Sequence, residues 1–483
     1  GKALTELKDL IKAELGKANI NYGEINSYAT PRRLALIFNN VYSVQPGRTV
    51  EVAGPPKKVA VDEMGNPTQA AIGFAKSQGV ELNSLKVKTF PKGEYVVALK
   101  EEPEKKTIDL LPEILRASIL KISLPKSMRW FDDTRFIRPL RWLAAIFGGK
   151  TVKFKISDVE SGNFTFGHRF LSGKKLVLEK ADARYYKHLL CQNHVIVDIE
   201  ERKAIIKEQA DTLARKAKGR VQYDQRVADE VIHLVEYPFA ILGSFKEDYL
   251  KIPKDILVNV MEKHQRYFPV VSLNGRLLPH FIITSNCAAR SADAVRKGNE
   301  KVIKARFNDG EFFYKEDLKT NLRDKAQKLK RVMWQEKLGT MWQKQERLSA
   351  ISGYITKTLQ YDQILAANTR SAAELCKADL VSEVVKEFPN LQGTMGREYA
   401  RAGKENEAVA TAIFEHYLPR FSGDILPSTK EGMALSLSEK LDTITGCFGI
   451  GLIPTGSTDP YGLRRSALGI IQILLKNKMN LPL

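Results

Sequence analysis

The sequence predicts a multidomain protein in which an α+β N-terminal region is followed by an all-α helical domain. Three observations lead there. The chain has 483 residues, more than one hydrophobic core organises, so two to four domains are expected. In the first part, short β-branched and aromatic runs are mixed with helical stretches without strict alternation, which favours α+β over a doubly wound sheet. From about Leu318 onward, apolar residues recur at helical spacing and strand patterns almost vanish.

The elements follow in order. Residues 1–15 (GKALTELKDLIKAEL) form an amphipathic helix with Leu4, Leu7, Leu10 and Ile11 on one face. Strand patterns occur at 34–38 (LALIF), 95–99 (YVVAL), 195–199 (VIVDI) and 281–285 (FIITS), with helices expected over 110–120 and 203–217. Turns are marked by Gly54-Pro55-Pro56 and Gly65-Asn66-Pro67, and Asn274-Gly275 between VVSL and RLLPHFIIT is a hairpin signal. In the helical part, Leu329 and Met333, then Leu348, Ile351 and Ile355, keep helical spacing. Helices are expected over 371–386, 406–417, 436–448 and 462–476. No internal repeat or low-complexity segment is present.

The charge balance is informative. With 76 basic and 56 acidic residues the net charge is +20, a surplus that draws polyanions and is common among nucleic-acid binders, although a solvated lysine face has the same sum. Cys191, Cys287, Cys376 and Cys447 are scattered, which excludes a Cys-x-x-Cys clip and fits a reducing cytosol. No apolar run approaches the roughly 18 residues of a membrane span, and the N-terminus reads as neither a signal nor a transit peptide. The absence of an initiator methionine suggests a piece of a longer chain.

Two segments carry candidate binding residues. In 128–142 (MRWFDDTRFIRPLRW), Arg129, Arg135, Arg138 and Arg141 interleave with Trp130, Phe131, Phe136 and Trp142. Guanidinium groups pair with phosphates and aromatic rings stack on unpaired bases; in the structural alternative the rings are core and the arginines cover them with their stems. In 295–319, Lys297, Lys301 and Lys304 fall at i, i+4 and i+7, a stripe suited to a phosphate backbone, while Ile303 and Phe307 face elsewhere. Glu311, Glu316 and Asp317 follow at once and could pair with part of it.

His168, His264 and His416 are each single, with no second histidine at i+3 or i+4, so each reads as a structural histidine and no metal site is expected. The G-x-x-G-x-G run at 446–451 follows a helix rather than a strand, and reads as a helix end and turn. No phosphate-binding loop, nucleophile elbow or kinase set is present, and no catalytic residue is expected.

Together these segments are similar, over nearly the whole chain, to the β subunits of the bacterial α2β2 glycyl-tRNA synthetases. The blocks are TPRRLALIF (30–38), SMRW and FIRPLRWLAAIFGG (127–149), TFGHRFL (165–171) and VEYPFAILGSF (235–245). They continue through VRKGNEKVIKARFNDGEFFYKEDLKT (295–320) and KLGTMWQKQERL (337–348) to KADLVSEVVKEFPNLQGTMGREYA (377–400), EHYLPRFSGDILP (415–427) and GLIPTGSTDPYGLRRSALGIIQIL (451–474).

The resemblance implies a cytoplasmic heterotetramer that joins glycine to tRNA(Gly). The α subunit would hold the class II centre and use ATP and Mg there, with no cofactor on this chain. The β subunit would supply most of the tRNA-binding surface, and Arg464 and Arg465 join the candidate set. Relatives of this kind begin with a short further strand and extend into a helical anticodon-binding domain, so both ends are expected to be incomplete. The helical half also resembles the HD domain of metal-dependent phosphohydrolases. There the His-Asp pair reads Ala378-Asp379 and a downstream Asp reads Glu439, which implies a degenerate metal site. The expected domains are 1–165 and 166–320, both α+β, and 321–483, all-α and HD-like. The alternatives are an active HD-type phosphohydrolase, a stand-alone RNA-binding module, and an editing function for which no catalytic residues are apparent.

Overall fold

The computed structural model describes every residue except Glu63, Met64, Lys92, Leu124, Pro125, Phe131, Asp133, Ala288, Ser457 and Leu483, and leaves undescribed the side chains of Arg48, Glu101 and Glu102. The chain forms two compact units, one of residues 1–209, 229–239 and 284–289, the other of 210–228, 240–283 and 290–483.

The first unit is α+β. Helix α1 (Lys2–Lys17) buries Leu4, Leu7, Ile11 and Leu15, and this stripe meets Leu111 in a core to which Leu34, Leu36 and Phe38 contribute. Strands β1 (Ile25–Thr30) and β2 (Arg33–Phe38) pair antiparallel with Thr30 opposite Arg33, so only Pro31 and Arg32 form the turn. A separate sheet of β3 (Arg48–Pro56), β4 (Lys86–Phe90) and β5 (Gly93–Glu102) has the order β3-β5-β4, and α2 (Gln69–Gln78) packs Ala71 beside Val96. After α3 (Thr107–Leu120), the short strands β6 (Met128–Arg129) and β7 (Arg135–Phe136) make a hairpin, as do β8 (Phe164–Phe166) and β9 (Lys175–Val177). Helices α4 (Ala183–Cys191) and α5 (Ile199–Lys216) follow.

The strand expected at 195–199 does not form. Val195 and Val197 are buried in an extended stretch outside any ladder, with Ile196 N–H donating to Glu236 O (2.8 Å). Asp198 ends it, because its carboxylate accepts from Glu200 N (3.0 Å) and caps α5.

The second unit contains a four-stranded sheet of β10 (Arg220–Val221), β11 (Phe239–Ser244), β12 (Phe268–Val271) and β13 (Leu277–Ser285) in the order β10-β12-β13-β11. Its Asn274-Gly275 turn forms as expected, with Gly275 at φ +84°. Helix α6 (Ala292–Leu318) leads into the helical part: α7 (Met341–Thr358), α8 (Gln363–Leu375), α9 (Thr394–Ala402), α10 (Glu407–Glu415), α11 (Lys430–Gly449) and α12 (Leu463–Lys476). Ile355, Ala434, Leu437, Ile470 and Ile473 form its central cluster. The helix expected over 371–386 is broken. Residues 378–381 turn as 3₁₀, because Asp379 points inward and accepts the Gly393 and Gly396 N–H groups. Helix α11 ends as expected at the glycine run, with Gly451 at φ +80°. Among the described residues no helix is long and apolar enough to cross a membrane.

Candidate nucleic-acid interface

The β1–β2 turn builds the base of the first candidate surface. Because Thr30 and Arg33 are its closing pair, their side chains converge on one acceptor. Thr30 Oγ1 donates to Glu236 Oε1 at 2.6 Å, and Arg33 donates to the same oxygen through Nη2 (3.0 Å) and Nε (3.2 Å). Arg32 reaches the other oxygen at 3.3 Å. Arg33 Nη1 also donates to Phe166 O (2.8 Å). The Arg33 side chain is 3% exposed and that of Glu236 1%, so each charge depends on the other for its solvation. Both guanidinium carbons lie 5.6 Å from the Trp142 ring centre, and Phe166 meets that ring edge-on at 5.2 Å. Trp142 is therefore held among two guanidinium groups and a second ring.

The arginine segment ends at this ring. Arg129 and Arg135 are cross-strand partners of the β6–β7 hairpin, and all four of Arg129, Arg135, Arg138 and Arg141 are exposed. Like charges directly opposite on a ladder repel. Among the described residues no carboxylate pairs with Arg135, Arg138 or Arg141. The rings take the structural role: Phe136 packs on the α1–α3 core, and Trp130 and Trp142 are half-buried. Phe131 lies outside the described residues.

In the second unit, Lys297, Lys301 and Lys304 are exposed along α6, while Ile303 and Phe307 are fully buried. The acidic residues that follow are occupied elsewhere. Glu311 pairs with Lys315 (2.6 Å) and Glu316 with Lys319 (2.5 Å). Asp317 is buried, accepting from Glu383 N (2.9 Å), Val384 N (3.0 Å) and Tyr399 Oη (2.6 Å). Among the described residues, none of these three carboxylates pairs with Lys297, Lys301 or Lys304. Arg464 and Arg465 open α12, both exposed. Asp459 accepts the Arg464 N–H (3.0 Å), and Arg464 Nη2 donates to Thr455 O (2.6 Å), so this arginine braces its own loop.

Comparison with known proteins decides the family. The family model described as glycyl-tRNA synthetase beta subunit matches residues 1–483. The chain belongs to this beta-subunit family. It is 46% identical over 484 residues to the glycine–tRNA ligase beta subunit of Geobacter sp. (strain M21), covering 100% of this chain and 70% of that protein. It is 44% identical over 475 residues to that of Bacillus subtilis (strain 168), covering 98% of this chain and 69% of that one.

In this family member, lysines surround Glu439, the position at which the resemblance to HD domains expects a metal-binding Asp. Lys344 Nζ lies 2.8 Å from Asp442 Oδ2 and 3.4 Å from Glu439 Oε1. Lys377 Nζ is 3.2 Å from Glu439 Oε2, an ion pair without hydrogen-bond alignment. His416 is fully buried with Nδ1 against Ile413 O (2.5 Å), and burial, followed by Lys377, drives its pKa well below the usual value. Among the described residues no group of three His, Cys, Asp or Glu is placed to hold a metal ion. With Ala378 beside Asp379 and Glu439 held by ammonium groups, the residues do not fit one. His264 packs edge-on against Phe388 at 5.4 Å.

Sequence reasoning assigned no role to Arg33, Glu236, Lys344 or Lys377. The signal available for Lys344 was its phase: it precedes Leu348, Ile351 and Ile355 on the buried face of α7.

Asp379 supports a test. Its Oδ2 accepts from Gly393 N (2.6 Å) and Gly396 N (2.9 Å), while Oδ1 is buried without a hydrogen-bond partner among the described residues. Burial raises its pKa to about 6, against the lowering by those two N–H groups and Lys377. The folded chain thus holds this proton more tightly than the unfolded chain. Its contribution to stability is present below about pH 4 and lost as pH rises to about 6, roughly 3 kcal/mol in all. Asp379→Asn keeps an acceptor and removes the charge. It is expected to stabilise by about 1–3 kcal/mol at neutral pH and to flatten the dependence between about pH 4 and 6. Urea unfolding across that range checks it; a variant weaker than the parent at every pH contradicts it.

Proposed function

We propose that this chain is the tRNA-holding beta subunit of a glycine–tRNA ligase. It grips the phosphates of tRNA(Gly) while a separate alpha subunit, using ATP and Mg, activates and transfers glycine. The observation that carries this reading is the β6–β7 hairpin and its continuation, where Arg135, Arg138 and Arg141 are exposed without carboxylate partners among the described residues. Arg129 offers a further phosphate contact in the first unit, and Lys297, Lys301, Lys304 and Arg465 offer separate ones in the second. Arg464 shares its charge with loop carbonyls.

The assembly is an α2β2 heterotetramer acting in the cytoplasm, a compartment that suits four free thiols. The segments 1–165, 166–320 and 321–483 are its modules. The last is an HD-like scaffold whose lysine-filled centre supports a structural role.

Salt dependence tests the reading. Each phosphate contact contributes about 0.7–0.9 to the slope of log K against log salt. The R135Q/R138Q/R141Q chain should therefore lose a slope of about 2–2.7, binding tRNA roughly a hundredfold more weakly near 0.1 M salt and converging with the parent near 1 M. Fluorescence anisotropy over a salt series measures this, and parallel slopes for parent and variant would refute it.

A further inference from the structure

We infer that the Arg169–Phe170 tip is a stacking site for an unpaired nucleotide of the bound RNA, a deeper reading of the function proposed above. Phe170 is 74% exposed, on the turn between β8 and β9, and the Arg169 guanidinium lies 5.6 Å from its ring centre. A phenyl ring left in water is ordinarily unremarkable on a loose loop, but this turn is built to be rigid.

Its anchor is His168, which is fully buried. The N–H groups of Phe170 (3.3 Å) and Leu171 (3.2 Å) both point at His168 Nδ1, which is thereby an acceptor. Nε2 then carries the hydrogen and donates to Asn286 Oδ1 at 2.9 Å. That oxygen also accepts from Glu236 N (2.9 Å) and Tyr237 N (3.1 Å). The turn closes with Gly173 N donating to His168 O (2.8 Å), Gly173 at φ +64°, and Ser172 Oγ donating to Asn193 Oδ1 (2.9 Å). A ring carried on a fixed backbone has less freedom to lose when a base stacks on it than one on a loose loop.

Charge decides between a base and a protein as the occupant. Residues 161–178 include Arg169, Lys174 and Lys175 and no carboxylate. All three cations are exposed, and Arg32 donates to Gly167 O (3.2 Å) at the foot of the turn. An exposed apolar ring with one guanidinium beside it, on a hairpin that carries two further exposed lysines and no carboxylate, fits a nucleotide, whose base stacks and whose phosphate is neutralised.

The test uses two labelled RNA hairpins, one blunt and one with a short single-stranded 3′ overhang, titrated against the whole chain. The parent should prefer the overhang RNA by about tenfold. Phe170→Ala should abolish that preference while binding the blunt hairpin within about twofold of the parent, and Phe170→Tyr should retain it. A parent with no preference, or an alanine variant that keeps it, overturns the site while leaving the function proposed above intact. Binding of neither hairpin overturns both. If Phe170→Ala weakens capture of the alpha subunit and leaves the RNA preference unchanged, the tip docks protein and the inference falls.

Discussion

Replacing Glu236 by alanine is expected to destabilise the first unit by about 3–5 kcal/mol, because it strands a buried guanidinium. Arg33 would keep the Phe166 carbonyl and the Thr165 hydroxyl as neutral partners, but no carboxylate among the described residues would replace the one lost. Thr30 Oγ1 would also lose its acceptor. For a unit of this size the loss corresponds to a fall in melting temperature on the order of ten degrees. The expected signature is local. Hydrogen exchange should accelerate in β1 and β2, whose closing residues Thr30 and Arg33 both bond to Glu236, while protection in α11 stays unchanged. Glu236→Gln should be milder, since an amide oxygen still accepts from Thr30 and Arg33. RNA affinity should fall with the alanine variant even where the chain is folded, because Arg32 and Arg33 flank the Trp142 ring at the end of the arginine segment. Unaltered melting and exchange would show that the buried pair does not hold this unit together.

This network marks the boundary of what the sequence could reveal. Local patterns were legible: α1 declares itself by its apolar stripe, the Asn274-Gly275 hairpin by its turn chemistry, and α11 and α12 by helical spacing. The exposed lysine stripe on α6 was legible too, since Ile303 and Phe307 set its phase. Among the readings that failed, one yields to a local cap and one to contacts 14 and 17 residues away. Residues 195–199 have strand composition, but Asp198 is taken as a helix cap. Residues 371–386 have helical composition, but Asp379 turns inward to hold the Gly393 and Gly396 amides. Glu236 lies 203 residues from Arg33, and neither spacing nor composition connects them. The Arg169–Phe170 tip was likewise invisible as a site, since only burial of His168 distinguishes a fixed turn from a loose one.

Lys344→Met should produce the second large effect, in the helical unit, and one that depends on pH. The ammonium group is buried, 1% exposed, between Asp442 and Glu439, bonds Thr443 Oγ1 at 3.0 Å, and sits 4.1 Å from the Trp334 ring centre. Its removal leaves Asp442 with Arg347 and Glu439 with Lys377, a loss of about 3–5 kcal/mol near neutral pH. Burial pushes the Glu439 carboxyl up, but Lys344 and Lys377 outweigh it and hold the pKa below the ordinary 4.5. A depressed carboxyl stabilises the fold above its unfolded pKa, and that contribution is lost as pH falls through the folded value. Without Lys344 the Glu439 pKa rises, so the variant is penalised most where the carboxyl must be ionised. The stability gap between parent and variant should therefore be widest above about pH 6 and narrow steadily towards about pH 4. Unfolding in urea, read by hydrogen exchange in α7 and α11, measures that gap at each pH. A gap of constant size would mean that methionine fails through packing alone, and that the lysine does not serve as the internal cation of this bundle.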